Sequence, residues 1–236
     1  MGNKVILKLE RVTKIYEMGE VKVEALKETS LDVYAGEILV ILGPSGSGKS
    51  TLLNIMGGMD LPTSGNVFFE NRDISGGSDT VLTHYRRNDA GFVFQFYNLI
   101  PDLTARENIE LAANLVSKPL PIDEVLTEMN MYERMDHFPS QMSGGEQQRI
   151  SIARAVVKNP RIMFCDEPTG ALDYQTGKLI LELLRKINEA TGCTIVLITH
   201  NAAIGSMADR VAKMRSGNIV EITENASPVS PDKIEW

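Results

Sequence analysis

The sequence predicts a doubly wound α/β fold, in which helices cover a mainly parallel sheet. Three observations predict it. Residues 38–42 form a continuous aliphatic run, which is typical of a strand buried on both faces. A glycine-rich segment follows this run at once, and a helical pattern begins at Ser50. A strand, a glycine-rich turn and a helix in this order form the first unit of such a fold.

The segments before this run have the pattern of antiparallel strands. Residues 5–12 and 26–33 alternate loosely between apolar and polar side chains, and a turn-like sequence follows at 34–37. Strands separated by such short turns pair as hairpins. We therefore expect an antiparallel β part formed by about residues 1–36 and 62–72.

The middle of the chain changes to helical periodicity. Apolar residues fall on one face of a predicted helix at 104–116, a proline-containing stretch interrupts it, and a second helix is predicted at 123–131. We expect a helical subdomain of about residues 99–154, inserted into an α/β core of about residues 37–95 and 155–222.

From Ser143 onward the α/β pattern returns. Helices are predicted at 147–158 and 176–191, and strands at 161–165 and 194–199. The predicted domain covers residues 1–225. Residues 226–236 contain two Ser-Pro pairs and few apolar side chains, so we expect a flexible tail that Ile234 and Trp236 could anchor.

Composition limits the classes of function. The chain has 24 Lys and Arg against 31 Asp and Glu, a net charge of −7, which argues against a broad nucleic-acid surface. No apolar run reaches the ~18 residues of a membrane span, and the first residues lack the pattern of a secretory leader. Cys165 and Cys193 lie in apolar runs and are expected to be reduced core thiols. These features predict a cytoplasmic protein.

The glycine-rich segment matches the phosphate-binding pattern G-x-x-x-x-G-K-[ST]. Glycines let backbone N–H groups converge on a polyphosphate, and the helix that follows adds its positive end. The predicted roles are a point charge for the β- and γ-phosphates from Lys49, a Mg²⁺ ligand from Ser50 and an α-phosphate contact from Thr51. The predicted binding loop is Gly43, Pro44, Ser45, Gly46, Ser47, Gly48, Lys49, Ser50 and Thr51.

A second motif ends an apolar strand with two acids. Asp166 follows residues 162–165 directly, and Glu167 comes next. A carboxylate at the end of such a strand can hold the water shell of Mg²⁺. Glu167, one residue further, can reach an attacking water. The loop and this motif together favour nucleotide hydrolysis.

Further segments resemble the motifs of the ABC (ATP-binding cassette) ATPases, in order and spacing, over nearly all of residues 5–222. Residues 142–149 are similar to the Leu-Ser-Gly-Gly-Gln signature, with Met142 and Glu146 as departures. Because Glu146 brings negative charge near a phosphate site, we expect its side chain to face away from the γ-phosphate. The other matches are Gln95 (Q-loop), residues 171–173 (D-loop), His200 (switch histidine) and Tyr16 (adenine-stacking residue).

The resemblance implies a P-loop NTPase core of the RecA type, with an N-terminal antiparallel β subdomain and an inserted α-helical signature subdomain. It also implies an ATPase that uses ATP and Mg²⁺. Two copies would close head to tail, so that the P-loop of one copy meets Ser143, Gly144 and Gly145 of the other. The implied roles are adenine stacking by Tyr16, metal contacts by Ser50, Gln95 and Asp166, and communication across the dimer by Asp173. The implied catalytic residues are Glu167, His200 and Gln95. Glu167 is the general base, His200 contacts the γ-phosphate and holds the attacking water, and Gln95 reaches the metal or the water and couples the nucleotide state to a partner.

Within the family, residues 16–20, 53–60 and 91–101 most resemble the MacB/LolD/FtsE group. This implies a separate transmembrane permease as partner, a place on the inner face of the cell membrane, and export or extraction as the function. The alternative is an FtsE-like ATPase that signals through a membrane partner to cell-wall remodelling. A DNA-associated ABC ATPase would need a coiled-coil insert, and a binding module without turnover would lack Glu167 or His200.

Overall fold

Two β-sheets organise this chain, of which the computed structural model describes residues 4–76 and 78–235. The smaller sheet is antiparallel. In the larger sheet all neighbouring strands are parallel except the two at one edge, Arg210–Arg215 and Asn218–Glu224, which are antiparallel. The smaller sheet has the order β2, β1, β4, β5, with β1 (Val5–Met18), β2 (Val21–Tyr34), β4 (Ser64–Phe69) and β5 (Arg72–Asp73). The larger sheet has the order β10, β9, β3, β8, β7, β6, with β3 (Ile38–Leu42), β6 (Ala90–Val93), β7 (Ile162–Asp166), β8 (Thr194–Thr199), β9 (Arg210–Arg215) and β10 (Asn218–Glu224).

The helices follow the predicted order with small shifts at their ends. The predicted helices at 104–116 and 123–131 are shorter in the structure, and those at 147–158 and 176–191 begin earlier because Ser143 and Asp173 cap them. None of the helices in the described ranges has both the length and the hydropathy needed to cross a bilayer. The helices are α1 (Lys49–Met56), α2 (Asp79–His84), α3 (Ala105–Ala113), α4 (Ile122–Glu128), α5 (Gly144–Val156) and α6 (Tyr174–Thr191).

The larger sheet separates two hydrophobic cores. Along β3, Ile38 and Val40 face the core formed with α3, α4, α5 and α6, whereas Leu39 and Ile41 face the core shared with α1 and the antiparallel sheet. Successive strand side chains point to opposite faces, so a strand covered on both sides must be apolar throughout. This explains the continuous aliphatic run. Cys165 is a free, buried thiol on β7, and burial raises its pKa.

The end of the chain differs from the expected flexible tail. Residues 231–233 form a short 3₁₀ turn against α6. Ile234 is only 2% exposed because it enters the core between the larger sheet and the helices α3 to α6. Tyr174 Oη donates a hydrogen bond to the Ile234 carbonyl (3.0 Å), and Lys178 Nζ donates to the Asp232 carbonyl (2.7 Å). These contacts dock the segment on the first turns of α6. Trp236 lies outside the described residues.

Candidate active site

A cleft of about 860 Å³ lies at the carboxyl edge of the larger sheet. The loop after β3, Gln95 shortly after β6, the end of β7 and the residue after β8 all reach it. Ligand sites in open α/β sheets form at this edge, where strand ends and helix N-termini meet. The lining residues are Val23, Glu24, Ala25, Pro44, Ser45, Gly46, Gly48, Lys49, Ser50, Thr51, Gln95, Asp166, Glu167 and His200.

The phosphate-loop pattern forms a cradle that leads into α1. Gly46 (φ 74°) and Gly48 (φ 99°) adopt left-handed backbone conformations, which favour glycine. A Cβ on Gly48 would stand 2.5 Å from the Ala25 carbonyl oxygen, whereas one on Gly46 would meet no atom within 4 Å. Gly48 is the N-cap of α1 and offers no side-chain acceptor to the first turn. Those N–H groups are therefore available to an anion.

Two buried polar groups support an anion at this cradle. Lys49 is 7% exposed, and its ammonium donates to the Gly43 carbonyl (2.7 Å) and the Pro44 carbonyl (3.0 Å). In the described part of the chain no carboxylate pairs with it. The buried Ser47 hydroxyl has no hydrogen-bond partner within the described residues. A buried cation whose hydrogen bonds go to two neutral carbonyls, next to a loop of glycines, is an arrangement that a phosphate group fits.

The acidic pair, Asp166 and Glu167, lines the same cleft as the cradle. Burial raises the pKa of Asp166, and the neighbouring Glu167 carboxylate raises it further; the Ser50 hydroxyl and Lys49 oppose this shift. No three His, Cys, Asp or Glu side chains converge into a metal cage in the residues that the structure describes. Mg²⁺ carried by a nucleotide needs only one or two protein oxygens, because phosphates and waters supply the others. The bonded oxygens of Ser50 and Asp166 fit that requirement.

Glu167 is held in an unusual conformation beside His200. Its φ is 46°, in the left-handed region, where a residue other than glycine costs about 1–2 kcal/mol. Its N–H bonds to the Ile198 carbonyl (3.0 Å). Its Oε1 lies 3.0 Å from Nδ1 of His200, whose side chain is 66% exposed. A carboxylate oriented by an imidazole at a water-accessible cleft is suited to accept a proton.

The predicted adenine-stacking residue lies at the margin of the cleft. Tyr16 is not among the described residues that line it. The Tyr16 hydroxyl donates to Asp60 Oδ2 (2.7 Å) and is hydrogen-bonded to Thr51, a lining residue. Lys14 Nζ lies 4.9 Å from the centroid of the Tyr16 ring. The ring is thus fixed next to the loop, with a cation over one face.

The signature and D-loop residues form a second cluster, and none of them lines the cleft of the same chain. Ser143 caps α5, and a Cβ on Gly145 would come within 2.3 Å of Thr176 Cγ2. Asp173 caps α6 by accepting the Thr176 N–H (3.0 Å). The signature segment around Gly145 and the D-loop segment around Asp173, which are 28 positions apart in the sequence, are therefore packed against each other. The remaining predicted residues, Gly43 and Ser47, lie in the phosphate loop behind its lining residues.

Glu146 turns back toward the helix cap. Its Oε2 accepts the Ser143 N–H (2.8 Å), and its own N–H donates to Ser143 Oγ (3.3 Å), which completes a capping box. Arg134 Nε lies 3.5 Å from Glu146 Oε1. The bond from Ser143 lowers the pKa of Glu146, with a smaller contribution from Arg134. Glu146, which stands where the family has glutamine, thus forms part of the cap at the start of α5.

Sequence reasoning missed several supporting residues. Val23, Glu24 and Ala25 line the cleft, but the exposed end of a strand carries no distinguishing pattern. Gln148 of α5 is fully buried and donates to the Pro168 carbonyl (2.9 Å), which ties the signature helix to the segment after Glu167. A polar residue on the buried face of a predicted amphipathic helix was the available signal.

Comparisons with known proteins agree with this geometry. Residues 26–170 match the ABC transporter family. An uncharacterized ABC transporter ATP-binding protein of Thermotoga maritima is 46% identical over 221 residues, covering 92% of this chain and 94% of the relative. The macrolide export ATP-binding/permease protein MacB of Brucella abortus is 42% identical over 237 residues, covering 98% of this chain but only 36% of MacB. The ATP-binding cassette MJ0796 of Methanocaldococcus jannaschii, in a dimeric post-hydrolysis structure bound to ADP and Pi, has a TM-score of 0.86 and 41% identity, covering 94% of this chain and 99% of that chain.

The fold and the cleft define a P-loop nucleotide-binding protein of the α/β class, and the predicted fold class is confirmed. The chain belongs to the ABC transporter family as an ATP-binding subunit, and it is an ABC-type ATPase.

Proposed function

We propose that this chain hydrolyses ATP to power a separate membrane permease, in MacB- or LolD-like export or extraction. The observation that carries the proposal is the convergence of the phosphate loop with Gln95, Asp166, Glu167 and His200 in one cleft. Similarity to MacB, which is named a macrolide export ATP-binding/permease protein, supports the transport role.

The cleft of one chain is an incomplete site, which supports a homodimer. Lys49 and the start of α1 face one side of a bound polyphosphate, while Ser143, Gly144 and Gly145 lie outside the same chain's cleft. A second copy, placed head to tail, can bring its signature segment to the open side. The dimeric structure of MJ0796 supports this arrangement. Tyr16 keeps its proposed role of stacking on adenine, and Asp173 its proposed role of communication across the dimer.

Hydrolysis follows from the placement of the polar groups. Glu167 accepts a proton from the attacking water, and His200 holds that carboxylate in place and stands next to the γ-phosphate. Lys49 and the N–H groups of α1 stabilise charge on the phosphates. Mg²⁺, when bound with the nucleotide, would be held by Ser50 and Asp166, with Gln95 next to it, and would withdraw charge from the phosphate oxygens.

A Glu167→Gln variant tests the proposal. Loss of one proton-transfer group lowers kcat by about 10²–10⁴, while the phosphate loop still binds ATP. The variant should therefore accumulate as a dimer in ATP and Mg²⁺, measured by light scattering after size exclusion. Glu189→Gln on the exposed face of α6 is the matched control and should behave like wild type. A Glu167→Gln protein that turns over ATP at the wild-type rate, or stays monomeric with ATP bound, would contradict the proposal.

The proposed location of the chain at the inner face of the cell membrane depends on its binding to the permease. We expect a multi-helix permease to co-purify with the tagged chain from detergent-solubilised membranes, and deletion of the chain's gene to abolish export of a cargo. A deletion that leaves export intact but changes cell-wall remodelling would favour the FtsE-like alternative.

A further inference from the structure

Arg154 on α5 holds the backbone of the segment that follows Gln95. Its guanidinium donates to the Tyr97 carbonyl (2.9 Å) and to the Asn98 carbonyl (2.5 Å). Burial lowers the pKa of Arg154. Among the described residues no carboxylate forms an ion pair with it, and the two backbone carbonyls accept its hydrogen bonds. Such charge-assisted bonds are stronger than neutral ones and impose a fixed geometry.

The backbone at these two residues needs such support. Tyr97 (φ 61°) and Asn98 (φ 50°) both adopt the left-handed conformation, which is unfavourable for tyrosine and which asparagine tolerates better. Local bonds at this turn run from the Tyr97 N–H to the Phe94 carbonyl (3.2 Å) and from the Asn98 N–H to the Phe96 carbonyl (2.6 Å). Both carbonyls of the strained pair point to Arg154. The fold therefore stabilises this turn from α5.

The same helix also contacts the Tyr97 side chain at its first turn. A Cβ on Gly144 would stand 2.7 Å from Tyr97 Oη, so the tyrosine hydroxyl packs directly on the signature glycine. Gly144 and Arg154 are ten residues apart, which corresponds to about 15 Å along a helix. Tyr97 therefore contacts α5 at two points. Its hydroxyl packs on Gly144, and its carbonyl accepts a hydrogen bond from Arg154.

This contact links two parts of the proposed reaction site. Gln95, two residues before Tyr97, lines the phosphate cleft, and Gly144 begins the signature helix. We propose that Arg154 is a positioning residue, which fixes the place of Gln95 relative to the signature segment. In the closed dimer Gln95 then meets the γ-phosphate in its own chain's cleft, while the signature segment meets the γ-phosphate in the cleft of the second copy. The inference rests on the proposed function, because it concerns hydrolysis at that site.

Lys158 offers a matched control. It is also a half-buried cation that follows the same helix, and its Nζ donates to two backbone carbonyls, those of Arg86 (2.8 Å) and Ala90 (2.7 Å). Burial lowers its pKa to about 8. Its partners lie at the start of β6 and in the π-helical segment Tyr85–Asp89 before it, and neither is Tyr97 or Asn98. Replacing Lys158 removes the same kind of interaction without freeing the turn.

The experiment compares Arg154→Met with Lys158→Met in the full chain. We measure kcat and the ATP dissociation constant for each, and ATP-dependent dimerisation with Glu167→Gln added. Because small misplacements of reacting groups can cost about 10²-fold, we expect Arg154→Met to lower kcat by about ten- to a hundredfold and to weaken dimerisation. Its ATP affinity, and the kcat of Lys158→Met, should stay within about threefold of wild type.

Equal losses of kcat in the two variants would overturn the inference, and so would a loss of ATP affinity in Arg154→Met as large as its loss of kcat. If Arg154→Met does not fold, Arg154→Lys replaces it. Lysine reaches one of the two carbonyls as a point charge, so we expect a kcat reduced by about threefold, and an unchanged kcat would overturn the inference. Failure of the proposed function itself is distinguishable, since wild type would then lack ATPase activity.

Discussion

Two helices in this molecule, α1 and α5, begin with glycine-rich sequences but differ in how their first N–H groups are bonded. Helix α1 begins after Gly48, which provides no side-chain cap, and its first turn has no acidic residue. Helix α5 begins after Ser143, and a capping box with Glu146 satisfies the N–H groups of these two residues. The start of α1 is open to an anion within one chain. The start of α5 is capped in part by its own side chains, and in the proposed mechanism it meets only the phosphate bound by the second copy.

The glycines at the two starts also have different physical reasons. Gly46 and Gly48 have positive φ, so side chains there would strain the backbone. Gly144 and Gly145 lie within α5, and the space around them is filled by Tyr97 Oη and Thr176 Cγ2. The phosphate loop uses glycine for backbone conformation, whereas the signature segment uses it for close packing within its own chain.

The largest expected effect is on ATP binding at the start of α1. Lys49→Met removes the one Lys or Arg among the described residues that line the cleft. Hydrogen bonds to charged groups contribute about 1.5–3 kcal/mol each, so ATP affinity of the monomer should fall by about ten- to a hundredfold. Isothermal titration below the concentration of dimer formation measures this, with Lys178→Met as the surface control. If Ser143→Ala weakens monomer affinity as much, the distinction between the two starts is wrong.

The second prediction tests why Gly144 must be small. Gly144→Ala places a Cβ 2.7 Å from Tyr97 Oη, and kcat should fall by about tenfold as α5 or the turn shifts. Adding Tyr97→Phe removes that oxygen. The nearest remaining atoms are then Leu172 Cδ2 at 3.4 Å and Tyr97 Cζ at 3.6 Å, which are ordinary contacts.

Activity assays of the two single variants and the double variant form a cycle. We expect the double variant to recover most of kcat, and Tyr97→Phe alone to stay near wild type. No recovery would mean that Gly144 is needed for the approach of a ligand from the partner, and the packing explanation would fall.

The parts of the site that lie at strand ends could be predicted from the sequence. Asp166 and His200 follow buried strands whose aliphatic runs are visible in the sequence, and parallel strands bring their carboxyl ends to one edge. Lys49 lies in a pattern whose spacing has a direct mechanical reason. These residues depend on local sequence and one rule of topology, so the sequence carries enough information to place them.

Features that depend on contacts distant in sequence could be predicted only in part. The sequence offers Ile234 as an anchor of the tail, but the core that it enters exists only in the folded chain, and so does the bond that Tyr174, 60 positions earlier, donates to its carbonyl. Tyr16 is fixed by Asp60, 44 positions away. Asparagine adopts the left-handed conformation readily but tyrosine does not, so the sequence does not mark the left-handed pair at Tyr97 and Asn98. Long-range hydrogen bonds and strained turns of this kind need coordinates.

The smallest expected effect concerns the charge at the capped start. Glu146→Gln keeps the capping box, since glutamine also accepts the Ser143 N–H, but it removes the negative charge and the contact with Arg134. The loss in unfolding free energy should be about 0.3–1 kcal/mol, measured by urea denaturation at pH 7.

Because the folded pKa of Glu146 lies below its usual value of 4.5, the charge stabilises the fold above that pH. This contribution is lost as pH falls through the lower, folded pKa, so the wild type and the variant should converge in stability under acid conditions. A stability difference that persists unchanged in acid would show that the carboxylate charge is not what stabilises this helix start.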